Sequence, residues 1–161
     1  MKKYELTEET FTVFGKTLYR IRAVRDFGSV KTGEFGGYIE KEENLSHFGN
    51  AWVYGNAKVY GDAKVYGDAR VSGNAWVYGN AEVFNTRHFF VQGPIGSRDG
   101  YVTFYRTKDD TVEVRCGCFS GSLQEFVNQV EETHGGSRYE KEYKLAAELA
   151  KVCIRLEGES R

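Results

Sequence analysis

The chain has 161 residues, 40% apolar and 28% charged, which excludes disorder as its main state and allows one domain or two small ones. Lys plus Arg number 22 against 23 Asp plus Glu, a net charge of -1, so no global basic field exists to hold duplex nucleic acid by counterion release. No apolar run approaches the roughly 18 residues of a membrane span, the opening MKKYELTEETF lacks a signal peptide's apolar stretch, and three cysteines without an export signal read as reduced thiols in a cytoplasm.

Residues 1–43 are expected to form an N-terminal β cap. TFTVFG (10–15) and TLYRIRAV (17–24) flank Gly15-Lys16, which predicts a β-hairpin. DFGSVKTGEFGGYIE then leads into the next region, where it is expected to cover the first strand edge.

From Gly49 the glycines fall six apart, at Gly49, Gly55, Gly61, Gly67, Gly73 and Gly79. Each is followed by Asn or Asp, then by alanine, then two residues later by valine, giving six copies of [ND]-A-x-V-x-[GN] after a degenerate NLSHFG at 44–49. In A-x-V the two apolar side chains share a side of an extended segment, while Gly-Asn and Gly-Asp tolerate left-handed backbone and bend the chain. The pattern resembles the hexapeptide-repeat family. That resemblance implies a left-handed parallel β-helix over 44–85, with three hexapeptides (about 18 residues) per coil. It also implies trimers as the assembly.

With that period, residue i stacks on i+18. Lys64 then meets Glu82, Trp52 meets Arg70, Lys58 meets Trp76, Tyr60 meets Tyr78 and Tyr66 meets Phe84. The outward Trp52, Tyr54, Tyr60, Tyr66, Trp76 and Tyr78 are expected at a subunit interface, because aromatic residues are enriched in interface cores.

Residues 86–161 change character and predict a C-terminal α+β module for binding or oligomerisation. FFV (89–91) and YVTFYRT (101–107) read as strands, and TVEVRCGCF (111–119) alternates, with Val112, Val114, Cys116 and Cys118 on one face. Both thiols of Cys116-Gly117-Cys118 are therefore expected in the core, and no metal site is assigned, since zinc needs about four ligands in defined spacing. Ser122 and Glu125 make a capping-box pattern at the start of a helix that ends at Thr133-His134-Gly135-Gly136. A second helix over 139–156 carries two apolar stripes and is expected to be more than half buried. The fold expected is mainly β: a short left-handed parallel β-helix flanked by an N-terminal β-hairpin cap and this α+β module.

GGYIE followed by NLS, and later IGSR (95–98), YRTKD (105–109), CGCF (116–119) and a G-x-x-x-E-F step (121–126), are similar to segments of proteins from bacteriophages and prophages of gut bacteria. The resemblance implies a host cytoplasm as the working place and a host molecule as partner.

Ligand chemistry is expected at GPIGSRDGYVTFYRTKDD. Gly93, Gly96 and Gly100 free the backbone, while Ser97, Arg98, Tyr105, Arg106 and, on the next strand, Arg115 offer donors and rings for a small phosphorylated molecule. No Walker or dinucleotide glycine motif is present, and neither a cofactor nor a catalytic residue is assigned. Three functions are expected in this order. The first is an oligomeric, non-catalytic binding protein that sequesters a phosphorylated ligand such as an immune-signalling nucleotide, an anti-defence role. The second is a structural trimeric spike or adaptor that binds another protein. The third is a hexapeptide-repeat acyltransferase using acetyl-coenzyme A, for which His88, just after the last coil, would serve as base, since His47 falls at the apolar slot of the degenerate repeat and His134 reads as a helix-end residue.

Overall fold

A computed structural model describes residues 1–157. It is mainly β, with two C-terminal helices. β1 (Tyr4–Val13) and β2 (Lys16–Ala23) form an antiparallel hairpin whose register pairs Val13 with Lys16, so its turn is Phe14-Gly15, one residue earlier than the sequence suggests. β3 (Phe35–Ile39), read in the sequence only as a lead-in, pairs antiparallel with β2 and parallel with β5 (Lys58–Val59). The N-terminal segment is thus one sheet with the repeats, in the order β1-β2-β3-β5-β8.

The repeats supply β4 (Trp52–Val53), β5, β6 (Lys64–Val65), β7 (Arg70–Val71), β8 (Trp76–Val77) and β9 (Glu82–Val83). They pair in parallel as β4 with β7, β5 with β8 and β6 with β9, and each pairing is offset by 18 residues: Trp52 with Arg70, Lys58 with Trp76, Lys64 with Glu82. The expected register therefore holds. Each alanine and valine of the six copies is buried, and they form one continuous core. The side-chain ladders follow, with Tyr60 and Tyr78 rings 4.7 Å apart and Tyr66 and Phe84 stacked at 5.1 Å. The Lys58 ammonium lies 5.7 Å from the Trp76 ring, whereas Arg70 lies over Tyr54 at 5.1 Å rather than over Trp52. Glycine is needed at the bends: all six have φ between 65° and 69°, and a Cβ on Gly49 would stand 2.8 Å from the Gly67 carbonyl oxygen.

Both ends of the stack are closed by the same chain. At the first end the Lys3 ammonium donates to the carbonyls of Ala51 (2.6 Å) and Gly49 (3.5 Å), and the Asn44 amide donates to those of Ala63 (2.8 Å) and Gly61 (3.2 Å). Tyr4 and Phe27 pack edge-on against Trp52. At the far end the Trp76 amide donates to the Thr103 hydroxyl (3.0 Å), the Arg70 amide to the Thr86 hydroxyl (3.2 Å), and the Lys108 amide to the Asn80 carbonyl (2.8 Å). Tyr105, Phe89 and Val91 close the core there. Edge groups that would otherwise seek a foreign strand are satisfied internally.

The C-terminal module is a four-stranded antiparallel sheet, β10 (Phe89–Ile95), β11 (Gly100–Arg106), β12 (Val112–Cys116) and β13 (Phe119–Ser122), under α1 (Leu123–His134) and α2 (Arg138–Cys153). The sheet has two working faces: Tyr105 belongs to the core of the repeats, while Val102, Phe104 and Val114 share a separate core with Phe126, Val130 and Ala150 of the helices. The capping box forms as expected, with the Glu125 amide donating to the Ser122 hydroxyl (3.1 Å) and the Ser122 amide to the Glu125 carboxylate (2.8 Å).

Two expectations are corrected. Cys118 is not a core thiol: the strand stops at Cys116, Gly117 takes φ 57°, and the chain reverses into β13, leaving Cys118 exposed. α2 ends at Cys153, since Ile154 turns extended, and it buries one stripe, not two. Ala146 and Ala150 face the core, while Leu145 and Val152 are each 70% exposed and Leu149 47%.

Candidate functional site

The residues expected to bind a ligand do not converge on a single place. Ser97 and Arg98 are exposed on the turn between β10 and β11. Arg106 is buried beneath the last repeat, where its Nε donates to Asp110 (2.9 Å), its Nη1 to the Glu82 carbonyl (3.0 Å), and its Nη2 pairs with Glu157 (3.4 Å) while the guanidinium covers Phe84 at 4.9 Å. With its donors engaged by the chain, Arg106 is a structural tie and is withdrawn as a ligand residue. Tyr105 is fully buried as the plug of the repeat core, so it too is withdrawn. Arg115 stands on the face of the sheet turned toward the repeats, in contact with Phe14, Tyr60, Trp76 and Tyr78.

The turn that carries Ser97 and Arg98 sits directly on α2. The Gly96 amide donates to the Glu142 carboxylate at 2.8 Å, and a Cβ at Gly96 would collide with the Tyr143 hydroxyl. Burial pushes the Tyr143 phenol up to about 12, so it remains a neutral wall. Between this turn and α2 runs a groove of about 580 Å³ lined by Pro94, Ile95, Ser97, Arg138, Tyr139 and Leu149 among others. Its polar groups are mixed in sign, with Arg138 set against Asp99 and Glu142. Sequence reasoning missed Arg138, Tyr139 and Glu142. They open a helix some forty residues beyond the glycine loop, and the only sequence signal was a basic and an aromatic residue at a helix start.

The expected subunit interface also divides. Trp52 and Tyr60 are each 1% exposed, covered by the N-terminal segment, and cannot present a surface to another subunit. Tyr54, Tyr66, Trp76 and Tyr78 keep partial exposure.

Each histidine has structural work. His47 accepts the Lys3 amide at Nδ1 (3.0 Å), meets Glu42 at Nε2 (2.9 Å) and stacks on Tyr4 at 4.1 Å. That hydrogen bond holds the Glu42 carboxyl below its ordinary value. His88 is buried, accepts the Phe84 amide at Nδ1 (3.2 Å), and is held below the usual imidazole range by burial and then by Arg106. His134 ends α1 and stacks on Tyr143 at 5.6 Å. Among the described residues no three His, Cys, Asp or Glu side chains are grouped to hold a metal ion, and no helix is long and apolar enough to cross a membrane.

No protein-family model matches the chain, and no curated protein matches it.

Proposed function

We propose that the chain is a non-catalytic binding protein for a small phosphorylated, ring-bearing molecule, and that the groove between the 96–99 turn and α2 receives it. The observation that carries this reading is the groove itself. Its volume of about 580 Å³ is in the range of small-molecule sites, and it joins part of the glycine segment to Arg138 and Tyr139. In this reading the Arg138 guanidinium and the Ser97 hydroxyl hold phosphate oxygens, Arg98 adds positive charge from the same turn, and the Tyr139 ring stacks on the ligand ring. The scaffold winds left-handed, as the hexapeptide-repeat resemblance implies, and assembles as an oligomer, a trimer on the same resemblance. In a phage setting the ligand class includes a host signalling nucleotide, which binding alone would sequester.

Native mass spectrometry with a panel of cyclic and linear nucleotides tests the reading, because it reports oligomer mass and bound ligand together. Arg138→Ala is expected to weaken binding about 10- to 100-fold, the loss of one charge-assisted hydrogen-bond partner. Unchanged affinity in that variant overturns the assignment of the groove.

A second reading, an adaptor that docks another protein, is favoured by Leu145, Leu149 and Val152, which lie exposed on α2, the first two at the groove itself. It predicts that no nucleotide of the panel binds and that Leu145→Glu abolishes capture of the partner.

A further inference from the structure

Phe14 breaks a local rule. It and Gly15 form the two-residue turn of the β1–β2 hairpin, with φ of 47° and 77°. Such a turn favours Asn, Asp or Gly at its first position, because a Cβ in the left-handed region costs about 1–2 kcal/mol. Burial returns little of that cost, since Phe14 is 63% exposed. What its ring does is lie over the Arg115 guanidinium, 4.8 Å from the ring centre. Tyr78 at 5.3 Å, with Tyr60 and Trp76 both at 5.9 Å, supplies the other walls.

The box under Phe14 already contains its cation. It has no anionic acceptor. Arg115 is 6% exposed and Tyr60 1% exposed, yet Arg115 Nε makes no well-formed hydrogen bond among the described residues, the Tyr60 hydroxyl beside the guanidinium is a neutral and poorly aligned partner, and no carboxylate of the described residues forms an ion pair with Arg115. Glu113, the carboxylate two residues along the same strand face, lies instead opposite Tyr105 and beside Gly79. Each buried donor left unmade costs about 1–3 kcal/mol. A strained aromatic lid over a buried guanidinium that no carboxylate neutralises is an expensive arrangement for packing alone, and both features have one remedy: a ligand that brings its own ring and its own acceptor oxygens.

We propose that Arg115, Tyr60, Trp76 and Tyr78 form a binding site, closed by Phe14, for a planar aromatic anion, a ring that bears a carboxylate or a phosphate. The hairpin tip lifts, the ligand ring takes the place of the Phe14 ring on the guanidinium, and the anionic oxygens accept from Arg115 Nε–H and the Tyr60 hydroxyl. This site lies on the sheet face turned to the repeats, whereas the groove lies against α2, so it stands whether or not the groove reading does.

The test is a titration of the full chain with phenyl phosphate and with benzoate, followed by nitrogen-15 NMR at the Arg115 Nε–H and the Trp76 indole N–H, assigned with Arg115→Lys and Trp76→Phe. Both resonances are expected to shift with either probe. Phe14→Asn suits the turn and removes the ring, so it is expected to bind about two- to five-fold tighter, the removal of one competing cation–π contact. Three results overturn the proposal: no shift at Arg115 in the wild type or in Phe14→Asn at millimolar probe, shifts confined to groove residues such as Tyr139, or an equal response to inorganic phosphate, which lacks a ring. The wild-type titration decides even if a variant folds poorly.

Discussion

A buried ammonium closes one edge of the stacked repeats. Lys3 is fully buried, and its Nζ occupies the place of the strand N–H groups that would otherwise meet the Ala51 and Gly49 carbonyls. Burial, and then the charge of Arg25, lower its pKa from 10.5 to about 8. The folded chain therefore gives up this proton near pH 8, while the unfolded chain keeps it to 10.5. Between those values the unfolded state binds more protons, so stability rises with pH there and is independent of this group below it. Tyr4, whose phenol is raised by burial and by Glu42 and Glu43, acts oppositely from about pH 10 upward, because its unfolded form ionises first. Lys3→Met should abolish the rise between pH 8 and 10, as read from urea unfolding midpoints of both proteins across that window. Near neutrality the net change should be small. The loss of two carbonyl partners, about 1–3 kcal/mol, opposes relief of the buried charge.

At the scale of the element, the glycine bends separate two costs. Gly73 and Gly49 both have φ 69°, but a Cβ on Gly73 would meet nothing within 4 Å, while one on Gly49 would meet the Gly67 carbonyl oxygen at 2.8 Å. Gly73→Ala should lose about 1–2 kcal/mol from the left-handed backbone alone. Gly49→Ala should lose more, because two neighbouring turns must also move apart; denaturant unfolding of the pair measures the difference. The bends were legible in the sequence since their cause is local, Gly-Asn or Gly-Asp at every sixth residue, whereas pairing at i+18 was an expectation from the hexapeptide-repeat resemblance and is the register observed. β3 was not legible, because its partner strand β5 comes from the repeats and GGYI carries no period of its own. The β12–β13 reversal was hidden too, since Cys118 continues the alternation of Val112, Val114 and Cys116 although Gly117 has already turned the chain. The ligand residues were scattered by strand geometry. Tyr105 and Arg106 are sequence neighbours with different surroundings, and Ser97 and Arg98 lie at the turn of β10–β11. Proximity in sequence along a hairpin is a poor guide to proximity in a site.

Across the whole molecule, one strand joins two cores. Tyr105 is fully buried at the end of the repeat core, and its neighbour Phe104 is fully buried in the core under the helices. Because alternate residues of β11 face opposite ways, substitutions one residue apart load different halves of the chain. Tyr105→Ala should cost about 3–5 kcal/mol, the range for removing a buried aromatic side chain. Its hydroxyl makes no well-formed hydrogen bond among the described residues, with Ser120 a poorly aligned neighbour, so Tyr105→Phe should stay within about 1 kcal/mol of the wild type, which separates the ring from the oxygen. Amide hydrogen exchange then reads where each loss falls. In Tyr105→Ala the ladder amides of Lys58 and Tyr60, which donate to the Ala75 and Val77 carbonyls, should lose protection before those of α1. Phe104→Ala should reverse the order, exposing α1 first, because Phe104 packs edge-on against Phe126 at 5.9 Å and has no place in the repeat core. Equal loss in both regions from either substitution would mean that the sheet unfolds as one unit with both of its faces. Opposite patterns would mean that the helical module can open while the repeats stay folded, which is the freedom a groove on α2 needs if it is to adjust to a ligand.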